Sequence, residues 1–357
     1  MSKADGMNYA PKGKPNPVVD KGGFTFAAIA LDHGHIYGMC NGLREAGADL
    51  KWVYDPDPAK IEAFCRAYPT VRAASSEEEI LRDPEVRLIA GAAIPSERFS
   101  LGMRAMDHGK DYFTDKAPFT TLEQLAQAKE KTAQTGQKYS VYYSERLHVE
   151  SAVFAGELIE ENAIGRVVQV IGLGPHRLNA ASRPDWFFKF DQYGGILCDI
   201  GSHQIEQFLY FAGCKDARVI SSKVANYNNK TYPELEDFGD VTLVGDNGAT
   251  GYSRVDWLTP SGLGTWGDGR TLILGTEGYI ELRKYIDIAR DGQGDQLYLV
   301  NGQGEQHFSL AGKVGFPFFG KLILDCLNRT EHAMTQEHAF KAAELCLVAQ
   351  KQALRLE

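Results

Sequence analysis

Apolar runs begin to alternate with amphipathic stretches at Phe24. Phe24–Leu31 is apolar apart from Thr25, as a strand covered on both faces should be. A turn at Asp32–His35 leads into a helix that ends near Ala46. Leu50–Tyr54 reads as the next strand. Pro58 opens a helix running to Tyr68, at the first helical position, where a missing N–H costs nothing. Ser76 ahead of Glu77, Glu78 and Glu79 is an N-cap followed by an acidic first turn. Val86–Ala92 is strand-like, Phe99–His108 helical, and Tyr112–Thr114 a short strand. Thr121-Leu122-Glu123-Gln124 matches a capping box, with Leu122, Leu125 and Ala126 on one face of the helix it opens. Tyr139–Tyr143 closes the series. Strands separated by helices of this length predict βαβ units, hence a parallel, doubly wound sheet of about six strands of the nucleotide-binding type.

The pattern changes after Glu150. A helix at Ser151–Glu161 and a strand at Val167–Leu173 precede longer strands at Arg218–Asn226, Gly239–Leu243, Ala249–Trp257, Thr271–Leu274, Tyr279–Arg283 and Gln296–Val300. Thr276-Glu277-Gly278 reads as a hairpin turn. Phe318–Asn328 and Thr335–Leu354 are helical. The expectation is an α/β chain: a Rossmann dinucleotide-binding domain over residues 24–146, then an α+β domain over 147–357 with a large, mainly antiparallel open sheet. The terminal helices could also pack back on the Rossmann domain. Residues 1–23, rich in Pro, Gly and Lys, read as an arm or disordered tail.

Composition narrows the function classes. The 357 residues are 43% hydrophobic and 24% charged, which is ordinary for a globular chain. Thirty-eight basic residues against 47 acidic ones give a net charge of −9, so nucleic acid and acidic membranes are not the expected partners. Leu88–Ile94 is the most apolar run and is strand-sized, and residues 1–23 lack the apolar segment of a signal peptide. The six cysteines show no C-x-x-C spacing and read as reduced thiols, with neither a disulfide framework nor a zinc site. A cytoplasmic location is the expectation.

Candidate chemistry starts at the first turn, Leu31-Asp32-His33-Gly34-His35-Ile36-Tyr37-Gly38. A glycine after the first strand lets backbone N–H groups approach a pyrophosphate at the helix N-terminus. Asp32, His33, Gly34, His35 and Ile36 are therefore candidate cofactor contacts. Asp55 ends the second strand, where a carboxylate can accept from the adenosine ribose hydroxyls. Ile94-Pro95, after the fourth strand, and Lys116, after the fifth, complete the cofactor set. NAD is expected over NADP, because Asp55 would repel a 2′-phosphate and no arginine follows it, although Lys60 is near. Asp32, His33 and His35 could also be metal ligands; no partner motif supports this, and no metal is expected.

A second cluster is Gly194-Gly195-Ile196-Leu197-Cys198-Asp199-Ile200-Gly201-Ser202-His203. On one helix Asp199 and His203 would share a face, extended by Glu206 and Tyr210. Together with Asp115-Lys116-Ala117-Pro118, this cluster resembles the glucose–fructose oxidoreductase/inositol dehydrogenase/rhizopine-catabolism (Gfo/Idh/MocA) family over about residues 24–350. The resemblance implies an NAD(P)-dependent oxidoreductase of sugars and cyclitols, with Lys116 at the lysine of the family's Glu-Lys-Pro motif and Asp199 and His203 at its catalytic pair. Three departures stand out. Asp32 replaces the first loop glycine, Asp115-Lys116-Ala117 replaces Glu-Lys-Pro, and Pro95-Ser96-Glu97-Arg98 stands where a loop with Asn-x-x-His is usual.

The chemistry has its own logic. Oxidising an alcohol needs a base near neutral pKa, which His203 offers, a group to orient it or hold a second hydroxyl, such as Asp199, and a cation to stabilise alkoxide character, such as Lys116. His176, Arg183 and Trp186 are candidate sugar contacts, by hydrogen bonds and stacking, and Arg146 is expected to reach the crevice. With Arg177 these cations would make a local basic pocket suited to an anionic sugar. The Thr265–Arg270 loop is expected to approach a neighbouring subunit's site. The leading reading is an NAD-dependent dehydrogenase of a sugar, polyol or inositol. The alternative is a glycosidase that oxidises C3 transiently, eliminates the aglycone and returns the cofactor to NAD. A non-catalytic NAD sensor is a third reading, opposed by the intact Lys116, Asp199 and His203. An open sheet with apolar residues such as Ile273, Tyr279, Ile280 and Leu282 on both faces predicts a homodimer or homotetramer.

Overall fold

The computed structural model describes residues 6–290 and 292–357. Its internal contacts separate the chain into two units: residues 7–142 with 317–340, and residues 143–316 with 341–357 and Gly6.

In the first unit the alternation becomes β1 (Thr25–Ile29), α1 (His35–Glu45), β2 (Asp49–Tyr54), α2 (Pro58–Ala67), β3 (Arg72–Ala73), α3 (Glu77–Leu81), β4 (Val86–Gly91), α4 (Pro95–Asp107), β5 (Asp111–Asp115), α5 (Leu122–Thr135) and β6 (Tyr139–Tyr142). The strands are parallel, in the order β3-β2-β1-β4-β5-β6. Phe26, Ala27, Ala28, Leu88, Ile89 and Ala90 are wholly buried, because β1 and β4 lie mid-sheet under helices on both faces; this is the cause of their unbroken apolar runs. The strand order reverses between β1 and β4, and sheets of this kind bind ligands beyond the carboxyl ends at that point.

Helix starts follow the local chemistry. Asp57 caps α2 with Pro58 at its first position, and the Ser76 and Thr121 hydroxyls accept from the amides of Glu79 and Gln124. The Gln124 side chain accepts from the Thr120 amide, one residue short of a reciprocal capping box. β3 is two exposed residues long and has no apolar pattern to announce it. Pro95-Ser96-Glu97-Arg98, expected as a loop, is instead the first turn of α4, since Pro95 at the helix start removes an N–H that would have been unsatisfied. The expected arm runs along α1. The Asn16 and Val18 amides donate to the Glu45 and Ala46 carbonyls, and Met7–Asn8 lies directly against Gly34. The arm's first five residues lie outside the described ones. The unit also includes α11 (Pro317–Asn328), whose Phe319 packs on Gly42 and the Tyr142 ring.

The second unit opens with α6 (Ser144–Leu147), α7 (Glu150–Glu160) and β7 (Val167–Pro175). The short helices α8 (Phe190–Tyr193) and α9 (Ile196–Asp199) precede α10 (Gly201–Ala212). Then come β8 (Ala217–Ala225), β9 (Phe238–Gly245), β10 (Thr250–Asp256), β11 (Arg270–Gly275), β12 (Gly278–Arg283), β13 (Gln296–Asn301) and β14 (Gly304–Ser309). α12 (Gln336–Gln352) and β15 (Leu354–Leu356) end the chain. The nine strands run β14-β13-β12-β11-β7-β10-β9-β8-β15, antiparallel except where β10 meets β7 and β15 meets β8. β14 is exposed and polar, and Leu354, expected inside the last helix, lies instead in the edge strand β15; neither carries an alternation to read.

α10 lies across β7 and β10. Gly172 and Gly174 make that approach possible: a Cβ on either would press into Gln204 or Ile200. This covered face buries Ile273, Ile280 and Leu282, while Tyr279 lies on the other, so the four residues do divide between both faces. The other face carries Tyr252, Leu272, Leu274 and Tyr279, exposed at 36%, 38%, 46% and 45%. Period-two alternation assigns residues to opposite faces but does not say which face the helix takes.

All six cysteines are free; Cys65 is half-buried and the rest are buried. Burial pushes the Cys214 thiol up to about 11. No helix among the described residues is long and apolar enough to cross a membrane.

Candidate active site

In the first unit the chain leaves β1 through Ala30, at a left-handed φ of 62°. The next amide, Leu31 N–H, donates to Asp55 Oδ2 at 2.7 Å, and Asp55 Oδ1 accepts from the Asp57 amide at 2.9 Å. Asp55 is buried, and this tie holds the ends of β1 and β2 together. Lys60 Nζ lies 2.6 Å from Asp32 Oδ1 and 3.6 Å from Asp55 Oδ1, so its charge is matched by two carboxylates.

His33, His35, Arg98 and Lys116 gather around Asp115, at the end of β5, and all are buried. His35 Nδ1 is 2.9 Å from Asp115 Oδ1, and His33 Nδ1 is 3.2 Å from Oδ2. The His35 amide also points at His33 Nδ1, at 3.3 Å. Burial holds His33 well below the usual imidazole range, and the neighbouring His35 adds to this against the pull of Asp115. Asp115 is buried too, which opposes its charge. His35, Arg98 and His33 outweigh that and hold it well below the usual carboxylate range. Arg98 donates to the carbonyls of Ala93, Lys116 and Ala117 and to Asp115 Oδ2, clasping the turn in which the Lys116–Ala117 peptide is cis.

Ligand atoms of His33, His35 and Asp115 all lie within 4.8 Å of one another, a spacing that could hold a cation. Arg98 already brings a positive charge to that carboxylate and Lys116 brings one to His33, which disfavours a further cation. A dinucleotide fits better. α1 starts at Gly34 with no side-chain cap and no acidic residue in its first turn, leaving its N-terminus complementary to a pyrophosphate. Asp32 and Lys60 stand at the end of the loop nearer β2, while Ile94, the N-cap of α4, and Pro95 stand after β4.

In the second unit the Gly194-Gly195 turn sets the site. Both residues have positive φ (83° and 93°), and a Cβ on Gly195 would collide with Gln350. α9 begins at once, its first amides held by Glu236 and Gln350 at 3.0 Å each. Asp199 ends α9 and His203 lies in the first turn of α10. The expected single helix is broken at Ile200, which keeps helical dihedrals (φ −76°, ψ −39°), so the two side chains remain about one turn apart. Both are buried.

Two residues that sequence spacing did not single out join them. Glu145, on α6, accepts from Lys284 Nζ at 3.0 Å and from Gln204 Nε2 at 2.8 Å, while its other oxygen lies 3.6 Å from His176 Nε2. Burial opposes the Glu145 charge, but Lys284, His203 and His176 pull its carboxyl down to about 2. Burial lowers Lys284 despite Glu145. Glu145 and Lys284 are 139 residues apart, so no local motif could have paired them. Arg98 was visible only as a departure from a family pattern.

Several expected substrate contacts are engaged elsewhere. Arg146 makes a buried two-pronged pair with Glu206, Nε and Nη2 at 2.8 and 2.5 Å from Oε1, and stacks 3.9 Å over the Tyr210 ring. The polar stripe running on from His203 is thereby a paired interior. Arg183 lies over the Phe187 and Trp257 rings and donates to the Leu178 carbonyl. Arg177 holds the carbonyls of Pro260, Leu263 and Thr265. These three arginines thus do not assemble the basic pocket expected for an anionic sugar. Trp186 is buried beside Phe187. Trp266, expected to approach a neighbouring subunit's site, packs within its own unit, 4.5 Å from the His176 ring and 4.1 Å from that of Tyr285.

Comparison with known proteins matches residues 33–143 to the oxidoreductase family with an NAD-binding Rossmann fold and residues 153–281 to the GFO/IDH/MocA C-terminal domain. A crystal structure of a protein from Erwinia carotovora atroseptica, assigned to the oxidoreductases, is 54% identical, with a TM-score of 0.91 over 94% of this chain and 100% of that one. The scyllo-inositol 2-dehydrogenase (NAD(+)) of Bacillus subtilis is 27% identical over 66% of this chain and 66% of its own length. The D-xylose dehydrogenase of Paenarthrobacter nicotinovorans is 26% identical over 41% of this chain and 38% of its own. The chain therefore spans just under two thirds of the first of these curated relatives and well under half of the second.

Proposed function

Because this chain belongs to the Gfo/Idh/MocA oxidoreductase family, we propose that it is an NAD-dependent dehydrogenase of a sugar, polyol or inositol. The observation that carries the reading is a pair of buried titratable groups, Asp199 and His203, about one turn apart, in a chain that also holds an NAD-binding unit. NAD, when bound, supplies the hydride acceptor. Gly34 and the start of α1 would hold its pyrophosphate and Asp32 a ribose hydroxyl, with Asp55 fixing the loop from below. Lys116 polarises the substrate oxygen. His203 takes the hydroxyl proton, and Asp199 holds a neighbouring hydroxyl or orients the imidazole. The substrate is neutral in this reading, since Arg146, Arg177 and Arg183 are engaged internally. A panel of sugars, inositols and aryl glycosides with NAD is the test, following NADH and released aglycone together. NADH should accumulate with a neutral polyol; aglycone release without net NADH would replace this reading by the glycosidase.

Cofactor choice follows from the Asp32–Lys60 pair. Lys60 is neutralised by carboxylates at 2.6 and 3.6 Å, leaving no spare cation there for a 2′-phosphate. Fluorescence titration should give tighter binding of NAD than of NADP, and the reverse order would defeat the assignment.

The reading includes a second copy of the chain on the exposed sheet face. Strand register puts Leu272 beside Ile171, Ile171 beside Tyr252, and Leu274 beside Tyr279, so the apolar side chains form a continuous row across β10, β7, β11 and β12. A self-complementary pairing of two such rows buries them in a dimer, and two dimers give a tetramer. Light scattering at micromolar concentration should report at least twice the 39.4 kDa chain mass. A monomer with full activity would end this part of the proposal.

A further inference from the structure

The buried charges around Glu145 exceed what a fold needs to hold one short helix in place. The Glu145 carboxylate is fixed at Oε2 by Lys284 and Gln204, while Oε1, likewise buried, makes no hydrogen bond among the described residues and faces His176 at 3.6 Å. Gln204 follows His203 on α10, so the helix that carries His203 is docked onto this carboxylate by the very next side chain. His203 itself lies within electrostatic reach of Glu145. Lys284, just past the end of β12, is wholly buried and is paired with Glu145. Among the described residues, Glu206, paired with Arg146, also acts on Lys284, and Asp199 ends the preceding helix.

We infer that Glu145 is a positioning residue for His203, stabilising the imidazolium formed when His203 takes the substrate proton, and that Lys284 offsets this carboxylate in the resting enzyme. The inference rests on the reading of His203 as the base and adds the residues that set its basicity. In the step, the substrate O–H bond breaks and its proton goes to the His203 ring. NAD, when bound, would take the hydride from the C–H bond of the carbon that bears the hydroxyl, leaving a carbonyl there. Glu145 stays ionised throughout, so it contributes through its field and takes no proton. A fixed opposite charge near an imidazole raises its pKa by roughly 1–3 units, and a nearby cation acts in the opposite sense. Glu145 thus raises the basicity of His203 and Lys284 lowers it, and the balance of the two fixed charges sets where His203 takes up a proton. His176 shares the carboxylate, 3.6 Å from its other oxygen.

The sign gives the test. In the full-length enzyme with ring-labelled histidine, the His203 resonance is identified by its loss in His203→Ala and titrated by NMR. Glu145→Gln removes the negative charge, so His203 should titrate at lower pH. Lys284→Met leaves the carboxylate uncompensated, so it should titrate at higher pH. The double variant Glu145→Gln/Lys284→Met should fall between them. It also contains no unpaired charge and so carries the comparison if a single variant fails to fold. The acid limb of kcat/KM for alcohol oxidation should move in the same two directions, about tenfold in rate per pH unit on that limb. His203 titrating identically in the folded variants, or moving the same way in both singles, would overturn the assignment. Near wild-type turnover in His203→Ala would instead overturn the underlying reading of His203, and the NMR titration separates the two failures because it needs no substrate.

Discussion

Replacing His203 by alanine is expected to lower turnover by ~10²–10⁴-fold while leaving NAD affinity largely intact. The direction follows from what the side chain offers. It is a buried imidazole on a helix docked against the sheet, and an imidazole can act as a general base. Alanine is a better helix former than histidine, so α10 should persist and the loss should fall on the chemical step. Lys116→Met and Asp199→Asn should act in the same direction, because each removes a charge offered to the reacting oxygen or to the base. Steady-state kcat with a productive substrate, beside a fluorescence titration with NAD, separates chemistry from binding. Retained turnover in the His203 variant would send the substrate proton to another group.

Arg146→Met should destabilise the fold by about 3–5 kcal/mol, the usual cost of breaking a buried ion pair from one side. Glu206 has no exposed surface and is paired with Arg146 through two nitrogens, and the same guanidinium stacks on Tyr210. Removing the arginine takes this hydrogen-bonded cation from a carboxylate with no exposed surface. Removing both charges, as Arg146→Met/Glu206→Gln, should recover much of the loss, since well-packed neutral replacements are often tolerated where single deletions are not. Urea unfolding of the two variants reads this directly. A raised KM with unchanged stability in Arg146→Met would restore the substrate role that the sequence suggested.

That reversal marks how far the sequence could be read. The strand–helix alternation of the first unit was legible because mid-sheet parallel strands are apolar throughout and their helices carry caps; Ser76 and Thr121 cap as their positions implied. β3 and β15 escaped because a strand of two or three residues at a sheet edge has neither a buried face nor a period. At the candidate site, Asp199 and His203 were visible because their partners are close in sequence. Glu145 and Lys284 were not, because two residues 139 positions apart meet only through the fold of β12 against α6. The arginines misled for a related reason. A sequence displays a cation but not the carboxylate, ring or carbonyl that has already claimed it.

The distribution of cysteines has a practical consequence: the chain carries its own clocks for local opening. Cys40 and Cys326 are buried in the first unit, and Cys198, Cys214 and Cys346 in the second, with Cys65 half-buried in the first. A thiol shut away from solvent is alkylated only when the structure around it opens, so each labelling rate measures an opening free energy at a known address. One cysteine, Cys65, should react early under native conditions, and the other five on the timescale of unfolding. Peptide mass spectrometry of a labelling time course in mild urea would then give two curves, one from Cys40 and Cys326 and one from Cys198, Cys214 and Cys346. If the two units melt together the curves coincide. If they part, the cofactor-holding half and the half with His203 have separate stabilities, and adding NAD should slow only the first.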